Sequence, residues 1–121
     1  MEHASILIAD ADPVTCNLFR GFLDGLPCEI ITVRDGQTVL DVLQSTLPIL
    51  AIVDVFMPFM SGGEILRRIR ADERLSSVKV FLMFFAMEDV DGKDIEGADG
   101  IISKLTTRDN LVQVVEAVLY A

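Results

Sequence analysis

Histidine, cysteine and tryptophan are scarce in this chain of 121 residues. It contains one histidine, His3, two cysteines, Cys16 and Cys28, and no tryptophan. A single histidine beside a terminus argues against catalysis by a paired histidine. The two cysteines do not have the spacing of metal ligands, so we interpret them as small apolar core residues without a role in function.

Basic residues are also few. The chain has ten lysines and arginines against nineteen acidic residues, which gives a net charge of −9. Because such a chain is repelled by a phosphate backbone, we do not expect this domain to bind nucleic acid by itself. Cations and basic protein surfaces suit it better as partners.

Long apolar runs are missing as well. No run approaches the roughly 18 residues needed to cross a bilayer, and the N-terminus, MEHASILIAD, has neither a basic region nor a small-residue cleavage pattern. We therefore expect a cytoplasmic protein with no membrane contact. Hydrophobic residues make up 51% of the chain, which is enough for one folded domain over residues 1–121 without disulfides or structural metals.

Short apolar strands alternate with helical patterns along the whole chain. We predict strands at Ile6–Ala9, Glu29–Val33, Leu50–Val53, Val78–Phe85 and Gly100–Ser103. Helices are expected to begin at Asp12–Pro13, after Asp35–Gly36, near Ser61–Gly62, briefly within MEDVDGKDIEGADG, and at Thr106 or Thr107.

Two of these helices have apolar faces that can be assigned from their spacing. The first should bury Val14, Leu18 and Phe22. The apolar residues of the last helix, between Leu111 and Leu119, span roughly 160° of its surface, more than one sheet-facing stripe needs. Either this helix lies deep in the fold or its excess apolar surface contacts a partner, such as a second copy of the chain.

The alternation predicts an α/β fold, a doubly wound five-stranded parallel sheet with helices on both faces and the flavodoxin-like strand order 2-1-3-4-5. In that order the connection reverses between strands one and three, and ligands collect at this point of the carboxyl edge. Asp10, Asp12 and Asp54 should meet there. From position alone, Asp54 either caps a turn or takes part in function.

Three segments carry a resemblance to a known family. They are SILIADADP at Ser5–Pro13, VDVFMPFMSG at Val53–Gly62 and GADGIISK at Gly97–Lys104. In order and spacing they resemble the receiver domains of two-component response regulators, over the whole chain. The middle segment, an Asp followed by Met-Pro and Met-x-Gly, is the most specific of the three.

The resemblance implies a role for each matching residue. Asp54 would accept a phosphoryl group from a histidine kinase or a small phosphodonor, and Lys104 would contact that group. Mg²⁺ would be bound by Asp10, Asp54 and the backbone carbonyl of Phe56. The positive metal would offset the repulsion between a carboxylate nucleophile and an anionic phosphate.

The acidic pair that usually follows the first strand is incomplete here. Asp10 is followed by Ala11, so one carboxylate of the usual metal site is lost. Asp12 could substitute as a ligand, but it is also the natural N-cap before Pro13, and we favour the cap. We therefore expect Mg²⁺ to bind weakly.

The residues that usually couple phosphorylation to a conformational change are also replaced. Phe85 stands where the family has Ser or Thr, and Ile101 stands where it has an aromatic residue. We hypothesise that Phe85 fills the space that the family's aromatic side chain enters. The segment before Gly97 is about one helical turn short, and Leu105 replaces the usual proline.

These departures predict a receiver-like signalling domain that acts mainly through protein contacts, with impaired or absent phosphorylation switching. The expected partners are a histidine kinase or an effector domain, together with a homodimer formed through the last helix. One alternative is an ordinary receiver that is phosphorylated at Asp54. A more remote one is a small Mg²⁺-dependent phosphohydrolase using Asp10 and Asp12; otherwise the chain is not expected to be an enzyme.

Overall fold

The computed structural model describes residues 4–121, so the prediction about His3 lies outside the described part of the chain. Five parallel strands form one sheet in the order β2-β1-β3-β4-β5. The predicted topology is confirmed. The strands are β1 Ala4–Ala9, β2 Cys28–Val33, β3 Leu50–Asp54, β4 Lys79–Phe84 and β5 Gly100–Ser103.

Each helix begins just after a polar capping residue. The capping side chain accepts a hydrogen bond from a backbone N–H two or three residues further on, which satisfies one free donor of the first turn. These caps are Asp12, Asp35, Ser61, Asp91 and Thr107. The helices are α1 Pro13–Phe22, α2 Gly36–Ser45, α3 Gly62–Ala71, α4 Gly92–Gly97 and α5 Arg108–Leu119.

The sheet separates two apolar layers. On one face, residues of α2 and α3 pack against alternate strand residues such as Leu7 and Val53. On the other, residues of α1 and α5 pack against Ile6 and Ile52. All five residues of β3 are buried, as expected of a central strand that is covered on both faces. The last residue of that strand is Asp54.

The predicted apolar face of α1 is wrong for Val14 and Leu18, while Phe22 is half-buried against the core as predicted. Val14 is 69% exposed and Leu18 is 46% exposed, whereas Thr15, Cys16 and Phe19 are buried. The small side chains of Thr15 and Cys16 suit the crowded end of β1, where the Cys16 thiol donates a hydrogen bond to the Asp10 carbonyl at 3.4 Å. Packing at the strand end thus determines the orientation of this helix.

The last helix is not sunk deeply into the fold. Only Leu111 and Val115 of this helix are buried. Four more apolar residues are half-buried at the margin of the core, namely Val112, Val114, Val118 and Leu119. Part of the wide apolar surface predicted from the sequence therefore remains accessible, and the homodimer through this helix stays a prediction. No helix within residues 4–121 has the length and apolar character required to span a bilayer.

Gly62 fixes the start of α3 against the end of β3. A Cβ atom at this position would lie 2.9 Å from the Asp54 carbonyl carbon and 2.9 Å from Val55 Cα, both backbone atoms that cannot move aside. We expect Gly62→Ala to lower the free energy of unfolding by about 2–3 kcal/mol, measured by urea denaturation.

Gly21 provides the matched control. It lies inside α1, and a Cβ atom there would meet nothing within 4 Å. Gly21→Ala should therefore stabilise the protein by about 0.5–1 kcal/mol, since alanine loses less conformational freedom in a helix. Equal effects of the two substitutions would contradict the close approach at Gly62.

Candidate functional site

Three of the residues predicted for the site meet at the carboxyl edge of the sheet. Asp10 follows β1, Asp54 ends β3 and Lys104 follows β5. The Lys104 Nζ atom lies 2.6 Å from Asp54 Oδ2 and 2.8 Å from Asp10 Oδ2. The three side chains are at most 8% exposed. One ammonium group therefore bridges two buried carboxylates from different strands.

Backbone hydrogen bonds hold this cluster in place. The Lys104 N–H donates to the Phe84 carbonyl at 2.8 Å, which fixes the lysine beside the end of β4. Asp54 Oδ1 accepts from the Phe56 N–H at 3.1 Å, and Asp10 Oδ1 accepts from the Asp12 N–H at 2.9 Å. Each carboxylate thus directs one oxygen to its own loop and the other to the lysine.

The two carboxylates do not share the ammonium equally. Lys104 forms a well-aligned hydrogen bond with Asp54 Oδ2. Asp10 Oδ2 lies close to the same nitrogen, but it accepts no hydrogen bond of good geometry from any described residue. Asp10 therefore contributes to the cluster mainly through its charge and through the turn that its other oxygen stabilises.

Burial and charge shift the pKa values of this cluster. Burial raises the pKa of Asp54, and the nearby charge of Asp10 adds to this rise, while the hydrogen bonds from Lys104 and Phe56 oppose it without cancelling it. Burial alone would lower the pKa of Lys104, but the attraction of the Asp10 and Asp54 carboxylates beside its ammonium outweighs this and raises it. The lysine therefore stays protonated at neutral pH, bound to its two acids.

Phe85 covers this lysine from the solvent side. Its ring centroid lies 4.8 Å from Lys104 Nζ, in the range of a cation–π interaction, and Phe85 is 61% exposed. The hypothesis that Phe85 fills an internal space is therefore wrong. Ile101 packs against the core, which leaves no space there for the Phe85 ring. The Lys104 ammonium attracts the ring, which therefore stays at the surface.

Asp12 and Phe56 lie at the border of the cluster. The exposed Asp12 side chain accepts a hydrogen bond from the Val14 N–H at 2.9 Å and caps α1. The Phe56 ring is 66% exposed, and its carbonyl as a metal ligand stays a prediction. Across residues 4–121, no three acidic, histidine or cysteine side chains gather in an arrangement that could hold a metal.

This set of donors fits Mg²⁺ poorly. The ion prefers several oxygen ligands in octahedral geometry, whereas the cluster offers two carboxylates with an ammonium already between them. A metal binding to both carboxylates would have to displace the Lys104 nitrogen or lie beside it. Both arrangements cost electrostatic energy, because the lysine stays charged.

The contacts of the α3 arginines could not be predicted from their spacing along the helix, which is typical of a solvated basic face. Arg67 pairs with Asp94 of α4 at 2.8 Å. Arg70 donates to the Val78 carbonyl at 3.0 Å and to the Gly97 carbonyl at 3.2 Å, and it forms a short ion pair with Asp99. One feature of the sequence could have indicated these ion pairs. The segment around α4 contains many acidic residues and a single lysine.

Comparison with known proteins is consistent with this geometry. The family model described as response regulator receiver domain matches residues 6–116. Response regulator Rre1 of Synechocystis sp. is 29% identical over 98% of this chain, and the match covers 52% of Rre1. The polar-differentiation response regulator DivK of Brucella ovis is 26% identical over 95% of both chains. The chain thus spans about half of Rre1 and nearly all of DivK.

Solved structures show the same fold. Chemotaxis response regulator CheY4 of Vibrio cholerae superposes with a TM-score of 0.87 over 98% of this chain and 100% of its own, at 22% identity. The signal receiver domain of a signal transduction histidine kinase from Syntrophus aciditrophicus gives a TM-score of 0.83 at 26% identity, covering 97% of this chain and 90% of that one.

The raised pKa of Asp54 predicts how its replacement changes stability with pH. The folded protein takes up the Asp54 proton more readily than the unfolded chain, so ionised Asp54 costs stability as pH rises from the unfolded pKa to the folded pKa. We expect Asp54→Asn to unfold at a higher temperature at pH 7. The difference should disappear below about pH 3.9, where aspartate is protonated even in the unfolded chain.

Asp12→Asn is the matched control for this measurement. Asp12 is exposed and asparagine is an equally good N-cap, so its unfolding temperature should follow that of the wild type at every pH. A lower unfolding temperature for Asp54→Asn at pH 7 would mean that attraction to Lys104 outweighs the cost of burial.

Proposed function

This chain belongs to the response regulator receiver domain family of two-component signal transduction, and we propose that it is an atypical member in which phosphorylation of Asp54 is impaired. It signals mainly through contacts with other proteins. The observation that carries this proposal is the absence of a third carboxylate beside Asp10 and Asp54 in the described chain, which leaves these two facing only the ammonium of Lys104.

Charge is the first argument. A carboxylate that attacks an anionic phosphoryl donor must have its repulsion offset by cations. Ala11 contributes no carboxylate with which to recruit a divalent cation. Its carbonyl instead accepts a hydrogen bond from the Arg34 guanidinium at 3.0 Å, which adds a fixed positive charge at this edge. Both features weaken the attraction of the site for Mg²⁺.

The position of Phe85 is the second argument. The ring lies over the Lys104 ammonium, where the family resemblance places a hydroxyl side chain that donates to a phosphoryl oxygen. Phenylalanine has no hydrogen-bond donor. A phosphoryl group on Asp54 would therefore gain one contact fewer, and Lys104 would have to leave its present partners to reach it.

The third argument concerns α4, which is only six residues long. Arg67 and Arg70 of α3 join it and the start of β5 to the body of the domain through the ion pairs and carbonyl contacts described above. This network supports a conformation that is set by packing and ion pairs instead of by phosphorylation. In such a domain, partner proteins bind to surfaces that exist without phosphorylation.

An ordinary phosphoaccepting receiver is the competing function. The buried Asp54 and its contact with Lys104 favour it, because both residues have the positions that the family resemblance requires. For the same reason, histidine kinases and effector domains stay the expected classes of protein partner. A homodimer through the half-buried apolar residues of α5 is a further proposal of the same kind.

Phosphorylation can be measured directly. We expect the protein incubated with Mg²⁺ and acetyl phosphate to show little added phosphate by intact-mass spectrometry, because the site lacks both the metal ligands and the hydroxyl donor. Asp54→Asn is the control for labelling elsewhere. Stoichiometric addition in the wild type that is absent from Asp54→Asn would establish the ordinary receiver instead.

Restoring the missing carboxylate should strengthen metal binding. We expect Ala11→Asp to bind Mg²⁺ at least about tenfold more tightly than the wild type, measured by NMR titration of backbone amides near Asp10 and Asp54. Ala11→Asn is the matched control, since it has a similar size and no charge. Equal affinities in the aspartate and asparagine variants would show that the absent acid is not what limits metal binding.

A further inference from the structure

Large apolar side chains are exposed around the Lys104 cluster. Three of the seven phenylalanines in the chain are more than 60% exposed, and all three lie in loops at the carboxyl edge of the sheet. Met87, 49% exposed, lies in the same loop as Phe85, and Leu105, 76% exposed, lies in the loop that follows β5. We call this set the apolar rim: Phe56, Phe59, Phe85, Met87 and Leu105.

The topology brings these loops together. The rim residues follow β3, β4 and β5, which are neighbouring parallel strands whose carboxyl ends share one edge. The Phe56 N–H is hydrogen-bonded to Asp54, and the Phe85 ring lies over Lys104, which immediately precedes Leu105. The rim therefore borders the bridged carboxylates along the part of this edge formed by β3, β4 and β5.

Phe59 is unfavourable for the isolated domain in two respects. Its side chain is fully exposed. Its backbone φ of 68° is in the left-handed region, where a bulky residue is strained. A glycine would relieve the strain and remove the exposed ring. No contact within the described part of the domain offsets either the exposure of the ring or the backbone strain. We therefore assign Phe59 to an intermolecular contact.

The charges around the rim indicate the chemistry of the partner. The exposed acidic residues at this edge are Asp12, Glu88 and Asp89, and the exposed basic residues there include Arg34 and Arg108. The whole chain has a net charge of −9. A second copy of the chain would bring the same negative charge, and exposed charges interact over a Debye length of about 8 Å. An anionic membrane surface would be repelled in the same way. The complementary surface is one with basic residues around an apolar centre.

We infer that the apolar rim is a docking surface for a protein segment with apolar side chains flanked by lysine or arginine. The inference rests on the proposed function, since it names the surface through which a domain with impaired phosphorylation makes its protein contacts. Aromatic side chains in the centre would supply most of the binding free energy. The acidic border would select the partner and speed its approach.

The test uses the ¹⁵N-labelled protein and a synthetic amphipathic peptide of leucine and lysine, without Mg²⁺ or phosphodonor. We expect saturable shifts of amides in the loops that carry the rim. A peptide with glutamate in place of lysine should bind at least about tenfold more weakly because its charge is repelled. A peptide with serine in place of leucine should lose the saturable binding, because it lacks the apolar contacts.

Phe59→Gly separates docking from folding. We expect this variant to unfold at a higher temperature than the wild type, because glycine adopts the positive φ without strain, and to bind the leucine–lysine peptide at least about tenfold more weakly. Leu47→Ser is the matched control, since Leu47 is 53% exposed and lies just after α2, outside the rim loops. It should bind like the wild type.

Several results would overturn the inference. These are equal binding of the lysine and glutamate peptides, unchanged binding by Phe59→Gly, or shifts confined to α5. Line broadening of rim amides that grows with protein concentration alone would identify a second copy as the occupant, and rim shifts with phosphatidylcholine vesicles would identify a membrane. Labelling of Asp54 by acetyl phosphate is measured separately, so the failure of the proposed function is distinguishable from the failure of the docking surface.

Discussion

The ion pairs of Lys104 with Asp10 and Asp54 are the interaction on which the carboxyl edge of the sheet depends. Three charged groups that are almost fully buried would each be costly alone, and they are tolerated because each offsets the desolvation of another. The bridge also links the ends of β1, β3 and β5 across the sheet. Removing Lys104 would leave two uncompensated buried carboxylates, whereas removing one carboxylate would leave a neutral ion pair.

This bridge also accounts for the chemistry we propose. A receiver that binds metal needs positive charge beside its nucleophilic carboxylate, and here that charge comes from the Lys104 ammonium. The ammonium carries a single charge, and it cannot coordinate several oxygen ligands as a divalent ion does. Phe85 stacks on the same ammonium and extends the cluster to the surface. Around it the loops present the apolar side chains of the rim, with the exposed carboxylates of Asp12, Glu88 and Asp89 at the border. In the function that we propose, this cluster forms the floor of a contact surface.

A second network of polar contacts lies at the C-terminal end of α3, the end away from Asp54. Arg70 joins the carbonyl of Val78, the carbonyl of Gly97 and the carboxylate of Asp99. These groups lie at the start of β4, the end of α4 and the start of β5. Together with the ion pair of Arg67 and Asp94, these contacts join the short helix α4 and the starts of its two flanking strands to α3.

Much of the architecture could be predicted because local rules decide it. The alternation of apolar strands and helical patterns specifies a parallel sheet, and the capping residues Asp12, Ser61 and Thr107 mark three helix starts. The meeting of Asp10 with Asp54 follows from strand order alone. By contrast, the buried face of α1 was mispredicted, because Val14 and Leu18 have a helical spacing as regular as that of Thr15 and Phe19.

The sequence by itself determined the fold class, the order of the strands and the placing of Asp54 at the end of a buried strand, since these depend on periodicity and on the direction of each strand. Only the tertiary structure decided where Phe85 and the α3 arginines lie. It also decided that Lys104 forms a hydrogen bond with Asp54 and an ion pair with both Asp54 and Asp10. Those outcomes depend on distances between residues far apart in the chain. Burial and charge set them jointly, and neither can be read from spacing along a single segment.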